Sequence, residues 1–404
     1  MKTTTTKRKI LFYVPLFPVL TETFIEAEIN KLTERGNVDV WVLALSGDKD
    51  KLPDLLKSRV IYRRLNIGSV FLGIFFGISR LRVVLNSFKF VNSRKKSLGF
   101  NIYSFFKYVG YTRIISSIKP DFIVSHFLSE PSTMCMFASQ ILSIPYGISA
   151  HARDVTVDSE LVPQKLSTAT FILVCNRNAQ KSLIEQSGGI NTSKIILHYH
   201  GVDVKNISER VLKTGKNIEK PLIVSIGRLV EKKGHTYLID TSKILKDRGV
   251  AHLIYIIGPG PLYNELNEKI SSFDLQNNVK ILGSGQGLPI NETLEQLKNA
   301  DIGVFSGIKT ELGDEDGIPN VLLECAVLNI PIVSTDVGST ADFIENEKNG
   351  LLVPQKNSYS LADAIERLLF NKDLCLSFTR NSYQKVCDKF DIDKNIVTLE
   401  NILL

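Results

Sequence analysis

The sequence predicts two α/β domains, each built on a parallel β-sheet with helices on both of its faces. Short β-branched apolar runs alternate with longer amphipathic segments, a pattern typical of parallel sheets covered by helices. A polar stretch, Lys205–Lys220, interrupts this alternation once, and the pattern then resumes. The length of 404 residues suits two domains of about 200 residues each. We therefore expect a first domain over residues 1–204, a linker over 205–220 and a second domain over 221–389. A C-terminal helix over 390–404 is expected to complete the first domain.

The apolar runs predict ten strands, and the amphipathic segments between them predict helices. In the first domain the predicted strands are Ile10–Val14, Val38–Ala44, Phe122–Ser125, Tyr146–Ser149 and Phe171–Val174. In the second domain they are Leu222–Ile226, Leu253–Ile257, Val279–Leu282, Ile302–Phe305 and Ile332–Ser334. The predicted helices are Phe24–Glu34, Ser132–Leu142, Thr236–Asp247, Leu262–Ser271, Asn291–Asn299 and Asn320–Leu328. Ligands of such sheets bind outside the carboxyl ends of the strands, so two facing domains would form a cleft lined by loops from each.

The composition excludes several classes of protein. Apolar residues make up 44% of the chain and charged residues 23%, which is a globular rather than a disordered composition. The five cysteines are scattered without a C-x-x-C motif, so we expect reduced thiols rather than disulfides or a zinc site. A basic start before an apolar run could indicate a signal peptide, but Pro15 and Pro18 interrupt the run and favour a buried strand. No apolar stretch is long enough to span a bilayer.

Positive charge is concentrated in the first half of the chain. Residues 1–200 contain 26 Lys and Arg against 14 Asp and Glu, and residues 51–120 contain 14 basic residues with Asp54 as the single acid. Two apolar and aromatic segments, Gly68–Ile78 and Phe105–Tyr111, lie among them. Exposed apolar residues among basic ones favour an anionic membrane surface, at about 1 kcal/mol per basic residue. We therefore expect a cytoplasmic protein, peripheral on the inner face of the membrane. The alternative is a helix with a solvated basic face. Nucleic-acid binding is not expected, because none of the usual motifs is present.

Two loops of the second domain have the residue types of a nucleotide-binding site. Gly227 follows a predicted strand, and Arg228 and Lys233 then place two cations on a loop before a helix, an arrangement suited to a pyrophosphate. The alternative is a solvated loop with surface charges.

The second loop follows the strand Ile302–Phe305 and leads into the helix predicted from Asn320. A carboxylate there can accept hydrogen bonds from both hydroxyls of a ribose, and backbone amides near a helix start can meet phosphate or sugar oxygens. The alternative is that Asp316 is a helix-capping acid and Glu324 is a surface acid. The triplet Asp314–Asp316 could bind a divalent ion, but Arg228 and Lys233 would already neutralise the diphosphate. The candidate residues of this loop are Asp316, Gly317, Ile318, Pro319, Asn320 and Glu324.

Seven motifs along the chain occur in an order that is known from one enzyme family. They are Phe17–Ile29, Ser125–Thr133, Ile144–Val155, His200–Asp203, Gly227–Gly234, Gly317–Glu324 and Pro331–Ser339. The chain thereby resembles family 4 of the retaining glycosyltransferases, which have the GT-B fold of two Rossmann-like domains. It is most similar to the bacterial exopolysaccharide branch of the colanic-acid type.

The resemblance implies roles for individual residues. Arg228 and Lys233 would hold the diphosphate, and Glu324 would hold the ribose. Asp316 falls on the first acid of the family's E-x7-E motif but is one methylene shorter than the usual glutamate. His151 matches the active-site histidine near the donor sugar, so His151 and Asp316 are the candidate catalytic residues. Further candidates for contact with sugar or acceptor are Glu22, Thr21, Thr23, His126 and Asp154. Thr21 or Thr23 could instead cap a helix.

The resemblance implies a metal-independent hexosyltransferase without a cofactor. Its donor would be a UDP-, GDP- or ADP-sugar, and same-face attack would retain the anomeric configuration. The basic first domain suggests a lipid-linked saccharide acceptor in bacterial surface polysaccharide synthesis. The alternatives are a non-catalytic protein of the same fold and a sugar-nucleotide epimerase. A phosphorylase would need a pyridoxal lysine, which we cannot identify.

Overall fold

The computed structural model describes residues 7–19, 22–63, 92–94, 96–210 and 220–404. The chain divides into two compact units. The first unit comprises Met1–His200 together with Asn395–Leu404, and the second comprises Gly201–Lys394.

The first unit contains a seven-stranded sheet in which every pair of neighbouring strands is parallel. Its strands are β1 (Lys9–Tyr13), β2 (Asp39–Ala44), β3 (Val60–Tyr62), β4 (Phe122–His126), β5 (Tyr146–Ala150), β6 (Ile172–Val174) and β7 (Ile195–Leu197). The spatial order is β3-β2-β1-β4-β5-β6-β7. The order reverses between β1 and β4, and ligands of such sheets bind where this reversal opens a crevice.

Helices cover both faces of this sheet, because successive side chains of each strand point to opposite sides. In β1, Leu11 and Tyr13 belong to one apolar layer, and Ile10 and Phe12 belong to the other. The described helices of this unit are α1 (Thr23–Arg35), α2 (Asp54–Lys57), α3 (Leu98–Ile118), α4 (Glu130–Leu142), α5 (Ala152–Thr156), α6 (Val162–Thr168) and α7 (Arg177–Gln186).

The second unit contains a six-stranded parallel sheet of the same design. Its strands are β8 (Leu222–Ile226), β9 (Leu253–Ile257), β10 (Val279–Leu282), β11 (Ile302–Phe305), β12 (Ile332–Asp336) and β13 (Leu351–Pro354). The order is β10-β9-β8-β11-β12-β13, so the reversal lies between β8 and β11. Loops that follow these two strands therefore meet at the crevice of this sheet.

The helices that follow in the chain begin with α8 (Val204–Arg210). The others are α9 (His235–Asp247), α10 (Tyr263–Ser272), α11 (Ile290–Lys298), α12 (Asn320–Val327), α13 (Thr340–Phe343), α14 (Ser358–Leu369), α15 (Lys372–Lys389) and α16 (Ile392–Leu403). Helix α16 contributes Ile396, Leu399 and Leu403 to the apolar layer that also contains Ile25 and Ile29 of α1.

All ten predicted strands and all six predicted helices are present, with ends shifted by at most two residues. The prediction omits β3, β7 and β13, which are edge strands of three or four residues. The segment expected as a linker begins instead with the helix α8, and residues 211–219 lie outside the described part. Within the described part of the chain, no helix is both long enough and apolar enough to cross a bilayer.

Candidate functional site

In the second unit, the loops after β8 and β11 are joined at the crevice of the sheet. The backbone N–H of Ile308 donates to the carbonyl of Lys232 at 2.8 Å, and the hydroxyl of Ser306 donates to the carbonyl of Lys233 at 3.1 Å. Gly234 lets the two loops approach, since its φ is +63° and a Cβ there would lie 1.9 Å from the carbonyl oxygen of Ser306. This close approach of the two loops fixes the backbone positions of Lys232 and Lys233.

The two lysines form ion pairs with the acidic part of the second loop. Nζ of Lys233 lies 2.6 Å from Oδ2 of Asp316, and Nζ of Lys232 lies 3.4 Å from Oδ1 of the same carboxylate. Lys232 also lies 3.1 Å from Oδ1 of Asp314. Burial alone would raise the pKa of Asp316, but the ammonium groups of Lys233 and Lys232 outweigh burial and lower it. Asp316 is therefore held as a carboxylate.

Glu324 differs from Asp316 in having no such partner. It lies in α12, a helix otherwise dominated by buried apolar residues, and its carboxylate makes no ion pair within the described part of the chain. Burial raises the pKa of Glu324 to about 7. Such a carboxylate is available to a ligand that brings hydrogen-bond donors.

Of the predicted donor-side residues, the structure brings Lys233 and Asp316 into contact and leaves Arg228 exposed on the loop after β8. Gly317 and Ile318 form the bend before the helix, Pro319 is its N-cap and Asn320 is its first residue. Lys232 was missed, although it stands beside Lys233 in the same motif, because the sequence does not show that both adjacent lysines face the acids.

His235 was also missed. It is buried at the start of α9, and its Nε2 lies 3.3 Å from the carbonyl oxygen of Gly227. Burial lowers its pKa to about 4, so the ring is neutral and supports the first loop.

In the first unit, three histidines and a phenylalanine form an aromatic cluster at the carboxyl ends of the strands. The rings of His126 and His151 are parallel within 2°, with centroids 5.6 Å apart. Phe24 of α1 packs against His151 at 4.9 Å and against His200 at 4.5 Å. The sequence predicted His151 and His126 as site residues. His200 was noted only as part of a motif, and the third partner therefore comes from the structure.

The other candidates predicted in the first unit lie outside the aromatic cluster or outside the described residues. Both carboxylate oxygens of Asp154 accept backbone N–H groups, one from His151 at 2.6 Å and one from Leu128, so this side chain holds the loop around His151. Glu22 is the N-cap residue of α1, without a side-chain capping bond, and burial raises its pKa. Thr23 is exposed and is the first residue of the helix, so it does not cap it. Thr21 lies outside the described residues.

A cavity of about 770 Å³ lies beside α3 and α4 in the same unit. The buried Arg94 stands at its wall, donating to the hydroxyl of Tyr108 at 3.0 Å, with its guanidinium carbon 5.4 Å from the centroid of the Phe100 ring. Other lining residues include Glu130, Glu160 and Gln164. Carboxylates and an amide beside an exposed aromatic ring suit a hydroxyl-rich ligand.

The predicted exposure of one of the two apolar segments in the basic region is partly wrong. Of the segment Phe105–Tyr111, expected to be exposed, Tyr108, Val109 and Tyr111 are buried in the apolar core beside Phe137 of α4. The long apolar helix α3 must bury one side against the sheet, and these residues lie on that side. Gly68–Ile78 lies outside the described residues.

The first turns of α3 instead expose an apolar face. Its residues and their exposed fractions are Leu98 61%, Phe100 42%, Ile102 40%, Tyr103 65% and Phe106 38%. We call these five residues the α3 apolar face.

One group of side chains in the described residues could in principle hold a metal ion. One ligand atom from each of His151, Cys175 and His200 lies within 4.8 Å of the others. The ring nitrogens of His151 and His200 already face each other as a hydrogen-bonded pair, however. Asp314 and Asp316 face lysines rather than forming such a group.

Comparison with known proteins matches residues 207–385 to the family described as "Glycosyl transferases group 1". The matched segment covers less than half of the chain. The matched segment contains the residues that we call the donor-side cluster, namely Arg228, Lys232, Lys233, Asp316 and Glu324. The aromatic cluster of the first unit lies outside it.

Curated relatives of the chain include proteins named for polysaccharide biosynthesis. The Escherichia coli K12 glycosyltransferase WcaL, named for colanic acid biosynthesis, is 27% identical over 260 residues, which are 63% of this chain and 62% of WcaL. WcaL of Salmonella typhimurium is 31% identical over 208 residues, or 51% of this chain and 50% of that protein. The match thus spans less than two thirds of either WcaL. The amylovoran biosynthesis glycosyltransferase AmsK of Erwinia amylovora is 25% identical over 89% of this chain and 90% of AmsK.

Solved structures resemble the chain over nearly its whole length. A glycosyltransferase of Rickettsia africae superposes with a TM-score of 0.72 at 15% identity, covering 98% of both chains. Anabaena HepE, in complex with UDP and glucose, superposes with a TM-score of 0.69 at 17% identity, covering 98% of this chain and 99% of HepE. The chain therefore has the GT-B fold, which confirms the predicted fold class.

Proposed function

We propose that this protein is a retaining glycosyltransferase of family 4 that moves a hexose-type sugar from a nucleoside diphosphate sugar to a lipid-linked saccharide. The names of its relatives WcaL and AmsK support a role in bacterial surface polysaccharide synthesis. The observation that carries the proposal is the donor-side cluster, in which three cations and the half-buried carboxylate of Glu324 lie on loops and a helix at one sheet crevice.

The cations suit a diphosphate. Arg228 is exposed and makes no ion pair within the described residues, while Lys232 and Lys233 are held by the joined loops. Cationic groups at a leaving diphosphate stabilise the charge that develops on it. HepE was crystallised with UDP-glucose, and the shared fold makes a uridine nucleotide the first donor to test, ahead of GDP- and ADP-sugars.

Glu324 is proposed to hold the ribose. Its carboxylate has no competing partner within the described chain, and burial strengthens hydrogen bonds that a ribose diol would donate. A carboxylate that accepts both ribose hydroxyls is a recurring device in nucleotide-binding folds.

Asp316 and His151 are proposed to act at the transferred sugar. In the reaction, the bond from the anomeric carbon to the diphosphate oxygen breaks as the acceptor oxygen bonds to the same face. The acceptor proton passes to the leaving diphosphate. The protein then has to position the reactants and stabilise charge rather than supply a nucleophile. The Asp316 carboxylate, kept ionised by the lysines, suits a developing positive charge at the anomeric carbon.

The reaction is proposed to need no metal ion. Asp314 and Asp316 are already neutralised by Lys232 and Lys233, so a divalent cation would have to displace two ammonium groups. Full activity in EDTA is the expected result. Activity that is lost in EDTA and restored by Mg²⁺ or Mn²⁺ would contradict metal independence.

The first unit is proposed to receive the acceptor at the cytoplasmic face of the membrane. The α3 apolar face suits insertion among lipid headgroups, and the basic excess of residues 51–120 suits an anionic bilayer. The cavity shares Phe100 with this face, so a saccharide could enter it while its lipid stays in the bilayer.

The decisive experiment is calorimetry with UDP, GDP and ADP on the full chain. Wild-type protein should bind one of them, and Glu324→Ala should weaken that binding about 10- to 100-fold, since hydrogen bonds to a charged group contribute about 1.5–3 kcal/mol. Glu268→Ala, an exposed acid on α10, is the matched control and should bind normally. Equal affinity of wild type and Glu324→Ala would rule out the ribose assignment, and no binding of any nucleotide would rule out the donor class.

A further inference from the structure

A carboxylate and three imidazole rings form one continuous buried row in the first unit. Nδ1 of His200 lies 2.6 Å from Oε1 of Glu28, and Nε2 of His200 lies 3.1 Å from Nδ1 of His151. Nε2 of His151 lies in turn 3.4 Å from Nδ1 of His126. Each imidazole along the row faces the next through a ring nitrogen. A ring nitrogen that donates a proton requires the facing nitrogen to accept it, so the protonation of one ring sets the tautomer of the next.

The positive charge of the row lies on His200. Burial alone would lower the pKa of His200, but the charge of Glu28 outweighs burial and raises it to about 10. Burial and the neighbouring His200 and His126 lower the pKa of His151 well below its usual value. A second proton on His151 would place two cations on rings whose facing nitrogens lie 3.1 Å apart, which like-charge repulsion disfavours.

The direction of each hydrogen bond follows from this charge. A doubly protonated His200 donates from Nδ1 to Glu28 and from Nε2 to His151. His151 must then accept at Nδ1, so its single proton is on Nε2 and points to Nδ1 of His126. His126 accepts there and carries its own proton on Nε2.

We propose that Glu28 and His200 are positioning residues that hold His151 as a neutral imidazole protonated only at Nε2. A neutral His151 ring does not repel the positive charge that forms at an anomeric carbon. This benefit for sugar transfer rests on the proposed function. The row itself, however, is a property of the first unit and is testable without any turnover.

The end of the row indicates a functional rather than a purely stabilising role. Nε2 of His126 is buried and has no hydrogen-bond partner among the described residues. An unpaired buried donor is unfavourable, and groups of this kind in native structures call for an explanation such as catalysis. An apolar residue in its place would avoid this cost.

The other titratable groups around the row do not replace Glu28 in this role. His198 also approaches Glu28, with Nε2 3.6 Å from the same Oε1 atom that His200 contacts at 2.6 Å. Cys175 contacts His200 and supports its protonated form. Asp154 is directed at the backbone of His151 and Leu128 rather than at a ring.

The test is two-bond ¹H–¹⁵N NMR on the full chain labelled at its six histidines, between pH 6 and 9. We expect wild-type His200 to carry protons on both nitrogens throughout, and His151 to carry one proton on Nε2. In Glu28→Gln, the midpoint at which His200 changes from two ring protons to one should lie below pH 8. His252, held by Ser242 at 2.7 Å in the second unit, is the internal control and should not change.

Three outcomes of the NMR experiment would overturn the proposal. They are a neutral His200 in the wild-type spectrum at pH 7, a proton on Nδ1 of His151, and a His200 that stays doubly protonated in Glu28→Gln. The first two need only wild-type protein, so poor folding of the variant leaves the test intact. Stoichiometric zinc in the dialysed protein would also overturn it, because a metal ion would replace the hydrogen bond between His200 and His151. Absence of transferase activity with a normal spectrum would reject the proposed function alone.

Discussion

The ammonium group of Lys233 lies 2.6 Å from the carboxylate of Asp316, and both side chains are 15% exposed. The sequence had suggested separate tasks for these residues, at the diphosphate and at the sugar. Their contact means that each neutralises the other before a donor arrives. A donor diphosphate can take Lys233 as its partner and release Asp316 toward the sugar. Donor binding would then exchange one ion pair for another rather than fill an uncompensated positive site.

Lys233→Ala should weaken nucleotide binding about 10- to 100-fold, because one charge-assisted hydrogen bond to phosphate is lost. Calorimetry with the preferred nucleoside diphosphate measures this directly. Lys280→Ala, an exposed lysine of β10, removes the same charge far from the loop in sequence and should bind as wild type does. Equal weakening in both variants would point to net charge rather than to a specific contact.

Asp316→Asn should lower kcat at least tenfold while leaving nucleotide affinity unchanged or higher, since the lysines lose a competing carboxylate. Asp316→Glu restores the glutamate usual in the resembled family and should keep most of the activity. Steady-state rates of donor consumption with acceptor present distinguish the two variants. An Asn variant as active as wild type would remove Asp316 from the site.

The stability of the protein should fall as pH rises from about 4.5 to about 7, in part because of Glu324. Its folded-state pKa is raised from 4.5 to about 7 by burial, so the folded state holds a proton that the unfolded state releases. The contribution of Glu324 to the free energy of unfolding is fully present below pH 4.5 and is lost as the pH rises to about 7. Glu324→Gln should therefore be more stable than wild type at pH 8, by roughly 1–3 kcal/mol. Denaturant unfolding at pH 5 and pH 8 tests this, and a difference that does not grow with pH would contradict it.

Leu98→Ser should reduce binding to anionic vesicles several-fold, because the α3 apolar face loses its first residue. Leu376→Ser is a matched control, since Leu376 is 65% exposed and Leu98 is 61% exposed. Co-sedimentation at low and high salt separates the apolar part from the electrostatic part. If wild-type protein does not sediment at either salt concentration, the membrane proposal is wrong.

Phe100→Ala should raise the KM for the saccharide acceptor without changing nucleotide affinity, because Phe100 lines the cavity of the first unit. Phe370→Ala removes an exposed ring of the second unit and should leave both quantities unchanged. Acceptor titration at saturating donor is the measurement. A change in nucleotide affinity instead would assign the cavity to the donor.

Local pattern was sufficient to locate most of the fold. The ten predicted strands needed only a few consecutive apolar residues each, because strands buried on both faces read as continuous apolar runs. Helices such as α1 were recognised because Ile25, Ile29 and Leu32 recur at helical spacing. Strands of three or four residues are at the limit of what this pattern can locate: β6 and β10 were found, whereas the edge strands β3, β7 and β13 were missed.

The donor-side motifs were likewise visible as loops after β8 and β11, but their partners were not. That both Lys232 and Lys233 face Asp316 depends on how the loop of Gly227–Gly234 is joined to Ser306 and Ile308. Burial of half of Phe105–Tyr111 also depends on the surface beneath α3, which composition cannot show.

The row from Glu28 to His126 shows the same limit most clearly. The sequence identifies His151 and His126 as polar residues after strands, and nothing in their spacing connects them to Glu28. Glu28 and His200 are 172 residues apart and meet only because α1 and the end of the last strand of the first sheet converge at one edge. Periodicity reports which face of an element is buried. The charge and tautomer of His151 depend on which distant group shares that buried face, and only the folded chain determines this.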